Sequence, residues 1–185
     1  MNVLLLQLDG KLPNIALMRI AAHHRQLGHK IEFRRMPTVQ SVYPSFDDLG
    51  YSHIYASLIF TKTRAIAEAV RQVYPGAILG GTGWDPQVKI EDYGVTTKQQ
   101  DYSIYPRWRQ SVGFTQRGCR LKCSFCVVPS KEGGVEEEQN IWQLWRGNPW
   151  PRELLLLDND FFGQPDWRQR IQEMRAGGFK VSFNQ

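Results

Sequence analysis

Short apolar runs alternate with helically spaced apolar residues over the first eighty or so positions, and this alternation restricts the fold more than any other feature of the sequence. Val3 to Leu8 is a continuous apolar run closed by the turn pair Asp9-Gly10. Ile15, Leu17, Met18, Ala21, Ala22 and Leu27 then recur at helical spacing, with Pro13 suited to the start and Gly28 to the stop. Lys30 to Arg35 alternates, placing Ile31 and Phe33 on one face of a strand. His53 to Phe60 reads as a third strand. A helix is expected from Thr63 to Val73, burying Ala65, Ile66, Ala69, Val70 and Val73 and ending at Pro75-Gly76. Ala77-Ile78-Leu79 is a short strand that runs into Gly80-Gly81-Thr82-Gly83. Alternation of this kind predicts a parallel sheet with helices on its faces.

Residues 84–110 carry little periodicity and read as a connector with one short strand at Tyr93 to Thr97. A second series begins near Ser111. Val112 to Thr115 is strand-like, and Val135 to Trp145 is expected as a helix whose Glu136-Glu137-Glu138 meets the positive end of the helix dipole. Glu153 to Leu157 is a buried strand closed by Asp158-Asn159-Asp160, Asp166 to Ala176 an amphipathic helix, and Phe179 to Phe183 a further strand. Two domains follow from this reading, 1–105 and 106–185.

Apolar residues at 42% and charged residues at 22% exclude disorder, collagen and coiled coil as overall descriptions. No run approaches the roughly 20 apolar residues of a membrane-spanning helix. The N-terminal run is too short and too uncharged at its start for a secretory signal, so a cytoplasmic protein with no membrane partner is expected. The net charge of +5 is scattered along the chain. It is compatible with a nucleic-acid partner, but no RNA-binding pattern accompanies it.

All three cysteines lie within eight residues, as Cys119-x3-Cys123-x2-Cys126. An odd, closely packed set is not a disulfide framework; it points to a reducing compartment and a metal. Three thiolates can hold three corners of a cubane cluster and leave one iron open. A zinc site would need a fourth ligand, and the four histidines, His23, His24, His29 and His53, are remote in sequence. Three unpaired buried thiols are the remaining reading.

The trio, with Phe125 just before its last cysteine and Val112-Gly113-Phe114-Thr115-Gln116-Arg117-Gly118 leading into it, resembles the signature loop of the radical S-adenosylmethionine superfamily. The resemblance implies a [4Fe-4S] cluster on Cys119, Cys123 and Cys126, with S-adenosylmethionine on the open iron. One-electron reduction, from a donor such as flavodoxin or ferredoxin, would cleave the sulfonium to methionine and a 5′-deoxyadenosyl radical that abstracts hydrogen from a substrate. It also implies that Phe125 packs near the adenine, although the residue alone reads equally as a core aromatic. Asp158, Asn159 and Asp160, at the C-terminal end of a strand, would face the cofactor and contact its methionine amino group. On the residues alone they are also a polar capping turn. Asn184 and Gln185 are further polar candidates at a strand end.

The front half is similar to the cobalamin-binding-like, Rossmann-type α/β domain of one branch of that superfamily. Gly80 and Gly81 resemble its glycine pair, where bare backbone admits a nucleotide tail; glycines there are also ordinary turn formers. The cobalt-ligating form of the domain carries Asp-x-His-x-x-Gly after the first strand. Here Asp9-Gly10-Lys11-Leu12-Pro13-Asn14 has no histidine, so no bound cobalamin is expected. The back half matches the first β/α units of a partial TIM-like barrel, and its 75 residues from Ser111 fall short of the ~200 of a closed barrel. This shortfall admits three expectations: a piece of a longer protein, a partner that supplies the rest of the barrel, or a reduced fold that binds a cluster without full catalysis. The alternative function is an iron–sulfur or electron-transfer module without radical catalysis.

Overall fold

The computed structural model describes residues 1–44 and 50–184. It divides into two compact units, Met1–Pro106 and Arg107–Gln185.

The first unit is built on four parallel strands: β1 (Asn2–Gln7), β2 (Lys30–Arg35), β3 (His53–Ser57) and β4 (Ile78–Gly80), in the order β2-β1-β3-β4. Helix α1 (Ile15–Gln26) connects β1 to β2, and α2 (Arg64–Val73) connects β3 to β4. β1 is central, with Val3 pairing both Ile31 and His53. Leu4, Leu6 and Leu8 pack with Ile66, Ala67 and Val70 of α2, while α1 packs on β1, β2 and β3. A strand covered on both faces is apolar along nearly all its length, which is why Val3 to Leu6 is an unbroken apolar run. The buried Gln7 that ends β1 donates its amide to the Asp9, Gly10 and Leu12 carbonyls. α1 starts where Asn14 accepts the Leu17 N–H at 3.1 Å, a side-chain cap one residue past Pro13.

Several expectations need correction. β3 ends at Ser57, because the carboxylate of Asp9 takes the N–H groups of Ile59 and Phe60, each at 2.8 Å, and turns the chain away. The buried face of α2 is Ile66, Ala67 and Val70, and Ala65 is exposed. Tyr93 to Thr97 is no strand: a 3-10 turn over Ile90–Tyr93 ends at Gly94 in the left-handed region.

Gly80 closes β4 and accepts the Leu58 N–H at 3.0 Å. Gly81 has φ +99°, and a Cβ there would lie 2.3 Å from the Leu58 carbonyl oxygen. The close approach of the Leu58 backbone thus requires glycine at position 81. Gly81→Ala is expected to destabilise the first unit by about 2–4 kcal/mol, combining backbone strain with a steric clash. Unchanged denaturant unfolding of that variant would show the glycine to be dispensable to the fold.

The second unit holds a parallel sheet of β5 (Ser111–Gly113), β8 (Glu153–Leu156) and β9 (Lys180–Phe183), in the order β5-β8-β9. Between β5 and β8 lie an antiparallel pair, β6 (Gln116–Arg117) and β7 (Glu136–Glu137), and two short helices, α3 (Val128–Glu132) and α4 (Ile141–Leu144). Helix α5 (Trp167–Ala176) joins β8 to β9. Ile141, Leu144, Leu154, Leu156, Phe161 and Met174 form the core. The helix expected over Val135 to Trp145 is confined to its last turn, capped by Asn140. Its glutamates serve the β6–β7 pair instead, with Glu137 reaching the buried Arg170 at 2.6 Å. The molecule is α/β, and the β2-β1-β3-β4 order of the first sheet is that of a doubly wound parallel sheet, compatible with a Rossmann-type unit.

Candidate functional site

The cysteine loop leaves the C-terminal end of β5 and is closed at a tight neck. Gln116 pairs with Glu137 and Arg117 with Glu136 across β6 and β7. Above that pairing, Gly118 has φ +78°, and a Cβ there would fall 2.0 Å from the Gly134 carbonyl oxygen, so the two sides of the loop meet backbone to backbone. Glu132, at the end of α3, completes the closure. Its carboxylate accepts from Arg117 at 2.5 Å, from the Gly118 N–H at 3.0 Å and from the Asn159 side-chain amide at 2.9 Å. Burial lowers the neighbouring Lys131 ammonium below its ordinary value, with the Glu132 charge opposing.

Within the neck hang the three cysteines. Cys119 is half-buried; its thiol points to Asp160 Oδ2 at 3.9 Å and its sulfur accepts the Leu121 N–H at 3.4 Å. Cys123 and Cys126 are exposed, and a turn bond from the Cys126 N–H to the Cys123 carbonyl, 3.1 Å, ties the two together. Phe125 is 91% exposed, which removes the reading of a core aromatic. The three thiols are likewise not a buried set. Among the described residues, no three His, Cys, Asp or Glu side chains stand together in a metal-holding group.

The segment after β8 meets the loop at three points, and its members do different work. Asp158 is fully buried: Oδ1 accepts the N–H groups of Thr115 and Gln116, each at 2.7 Å, and the Thr115 hydroxyl at 3.2 Å. Burial pushes its carboxyl above the ordinary carboxylate value, against the pull of those donors. Asn159 is exposed and bonded to Glu132. Asp160 lies beside Cys119 and pairs with Arg120 Nε at 3.0 Å. Neither acid caps a helix through its side chain: Asp158 serves the loop after β5, and Asp160, at the start of the 3-10 turn Phe161–Gly163, makes no side-chain cap bond. Asn184 is exposed and holds β8 through its own N–H to the Leu156 carbonyl, 2.9 Å; Gln185 lies outside the described residues.

Asp158 repeats a device of the first unit. Asp9 and Asp158 each stand two residues past an apolar strand, and each takes two consecutive backbone N–H groups and a threonine hydroxyl from the loop after the neighbouring strand. Sequence reasoning missed Glu132, Arg120 and the Gly118–Gly134 approach. The one signal that could have found them is Gly133-Gly134, a pair that favours a turn. Gly80 and Gly81 belong to the first unit, whereas the cysteines, Phe125, Asp158, Asn159 and Asp160 all belong to the second.

No protein-family model matches the chain, and no curated protein is significantly similar to it.

Proposed function

We propose that the chain is a radical S-adenosylmethionine enzyme, in whole or in part, whose cluster is held by Cys119, Cys123 and Cys126. The observation that carries this reading is the placement of all three cysteines on one exposed, neck-tied loop that leaves the C-terminal end of a parallel strand. Ligands of parallel α/β sheets gather at those strand ends. The donor set fits the group: three soft sulfurs, with no histidine anywhere in the second unit to complete a zinc site. Cys119, Cys123 and Cys126 would hold a [4Fe-4S] cluster, which would supply one-electron reduction of S-adenosylmethionine with an electron from a reductant such as flavodoxin or ferredoxin.

The chain's own residues do the rest. The three thiols give up their protons on ligation, and exposure of Cys123 and Cys126 leaves a path for assembly. Asp160, beside Cys119 and paired with Arg120, would accept the ammonium of the cofactor's methionine, with Asn159 next to it. Phe125 is free to stack on the adenine and keep water from it. Asp158 is a positioning residue that fixes the loop base. The first unit serves as a cobalamin-binding-like domain that lacks the cobalt-ligating histidine, and the second as the opening β/α units of a partial barrel.

Exposure of Cys123, Cys126 and Phe125 favours one second reading, an iron–sulfur module that transfers electrons without radical catalysis, because an open site does not exclude water. Anaerobic reconstitution separates the two. About four irons per chain and an EPR spectrum of the reduced cluster that changes on adding S-adenosylmethionine are expected. An unchanged spectrum selects the electron-transfer module, and a colourless, sulfide-free chain overturns both.

A further inference from the structure

All four histidines of the chain pack together where α1 ends against β3. The His24 ring centroid lies 5.2 Å from His23, 5.2 Å from His29 and 5.4 Å from His53. His24 is buried; its Nδ1 meets His29 Nδ1 at 2.9 Å and its Nε2 meets the Tyr55 hydroxyl at 3.1 Å. A ring nitrogen sits about 1.2 Å from its centroid, so a 2.9 Å contact between rings 5.2 Å apart is head-on. Two nitrogens aimed at each other share a hydrogen; they do not converge on a metal ion, whose ligands must point to a common centre.

The pair also occupies a special place in the helix end. The Gly28 N–H bonds the Arg25 carbonyl at 2.9 Å and the His29 N–H the His24 carbonyl at 3.0 Å, with Gly28 at φ +74°. This is the two-bond Schellman ending, in which the side chains at the His24 and His29 positions ordinarily make an apolar contact. The chain contains the ordinary form as well. At the end of α5, Gly178 N–H bonds the Arg175 carbonyl at 3.1 Å and Phe179 N–H the Met174 carbonyl at 2.9 Å, and Met174 and Phe179 belong to one apolar cluster. In α1 the apolar pair is replaced by two groups that titrate.

We propose that the His24–His29 contact is an acid-operated latch, which ties down the turn between α1 and β2 while the facing nitrogens carry one hydrogen between them and releases it when each carries its own. With a single hydrogen the bond forms in either tautomer, and Tyr55 can donate to or accept from His24 Nε2 accordingly. With two, N–H faces N–H. Two neighbours add to the repulsion, His23 facing His24 from α1 and His53 from β3, and the amino terminus bears on His29. Tyr55 also faces His24 from β3 with Tyr93 behind it, and neither brings positive charge. Burial, then His23, His53 and His29, lower His24 to about 4. A folded value below the unfolded one means the open state takes up the proton, so the latch is fully closed above the ordinary imidazole range and weakens as pH falls through it toward 4.

The test is residue-resolved amide exchange on the full chain, compared as protection factors at about pH 7 and about pH 4.5. Protection of the Gly28 and His29 amides is expected to fall at least roughly tenfold relative to Gly178 and Phe179, the internal control without titratable rings. In His29→Phe, which restores an apolar partner, that differential fall disappears. Equal loss at both helix ends, or an undiminished fall in His29→Phe, overturns the latch. Should the variant not fold, the imidazole nitrogen shifts of the wild-type chain decide: coupled titration of His24 and His29, with His24 below its ordinary value, supports it, and independent titration at ordinary values overturns it.

Discussion

Cys123→Ala is expected to lose the whole of its iron and sulfide on reconstitution while melting at the temperature of the metal-free wild-type chain. The two halves of that expectation rest on different observations. Cys123 is exposed, so truncating it opens no cavity, and surface changes of this kind stay within about 0.5 kcal/mol. The loss of metal follows from the donor count: with three sulfurs for three irons, removing one leaves a corner without a protein ligand, and no histidine in the same unit can replace it. Cys126→Ala should match it. Cys119→Ala should also lose metal and cost about 1 kcal/mol of stability besides, because the half-buried sulfur takes the Leu121 N–H and faces Asp160. Iron content near four per chain in Cys123→Ala, measured beside a wild-type control, would remove the ligand assignment. Unfolding of the variant would instead show that the thiol supports the loop.

What the sequence discloses about this chain divides along a physical line. β1, α1, β2 and α2 are legible because each buries a face against a covered sheet, and burial imposes a period on the residues. The segment from Val135 to Trp145 misleads because its three glutamates satisfy a local rule, favourable charge at a helix start, while a tertiary contact decides the outcome. Glu136 and Glu137 pair with β6, and Glu137 meets Arg170. The neck of the cysteine loop is hidden for the same reason. Nothing in the spacing of Glu132 announces that it will gather Arg117, Gly118 and Asn159, partners contributed by both sides of the loop and by the segment after β8. Asp158 and Asp160 look alike in sequence, two acids around an asparagine. Only their depths separate them, one closed under the loop base and the other beside a cysteine. The repeated offset of Asp9 and Asp158 from their strands is a signal that sequence does carry, since a carboxylate two residues past an apolar run can answer the N–H groups of the next loop in either unit.

That offset makes Asp158→Ala the most damaging single change expected in the second unit. It orphans the buried N–H groups of Thr115 and Gln116 at the base of the cysteine loop, at a cost of about 2–4 kcal/mol. Asp158→Asn keeps an oxygen where Oδ1 stands and should cost less than about 1 kcal/mol. The two can be compared by urea unfolding followed through tryptophan emission, since five of the six tryptophans lie in this unit. The pH dependence has a definite sign. The folded carboxyl is raised above its unfolded value, so its contribution is fully present below the unfolded value and is lost as pH rises through the folded one. The advantage of wild type over Asp158→Asn should therefore grow as the solution is acidified, and taking the difference between the two chains cancels the opposite trend from the histidines of the first unit. If Asp158→Ala proves as harmless as Asp158→Asn, the carboxylate is not what holds the loop. If Asp158→Asn folds and binds iron normally yet no longer responds to S-adenosylmethionine, Asp158 contacts the cofactor directly and its burial here is not the state in which it acts.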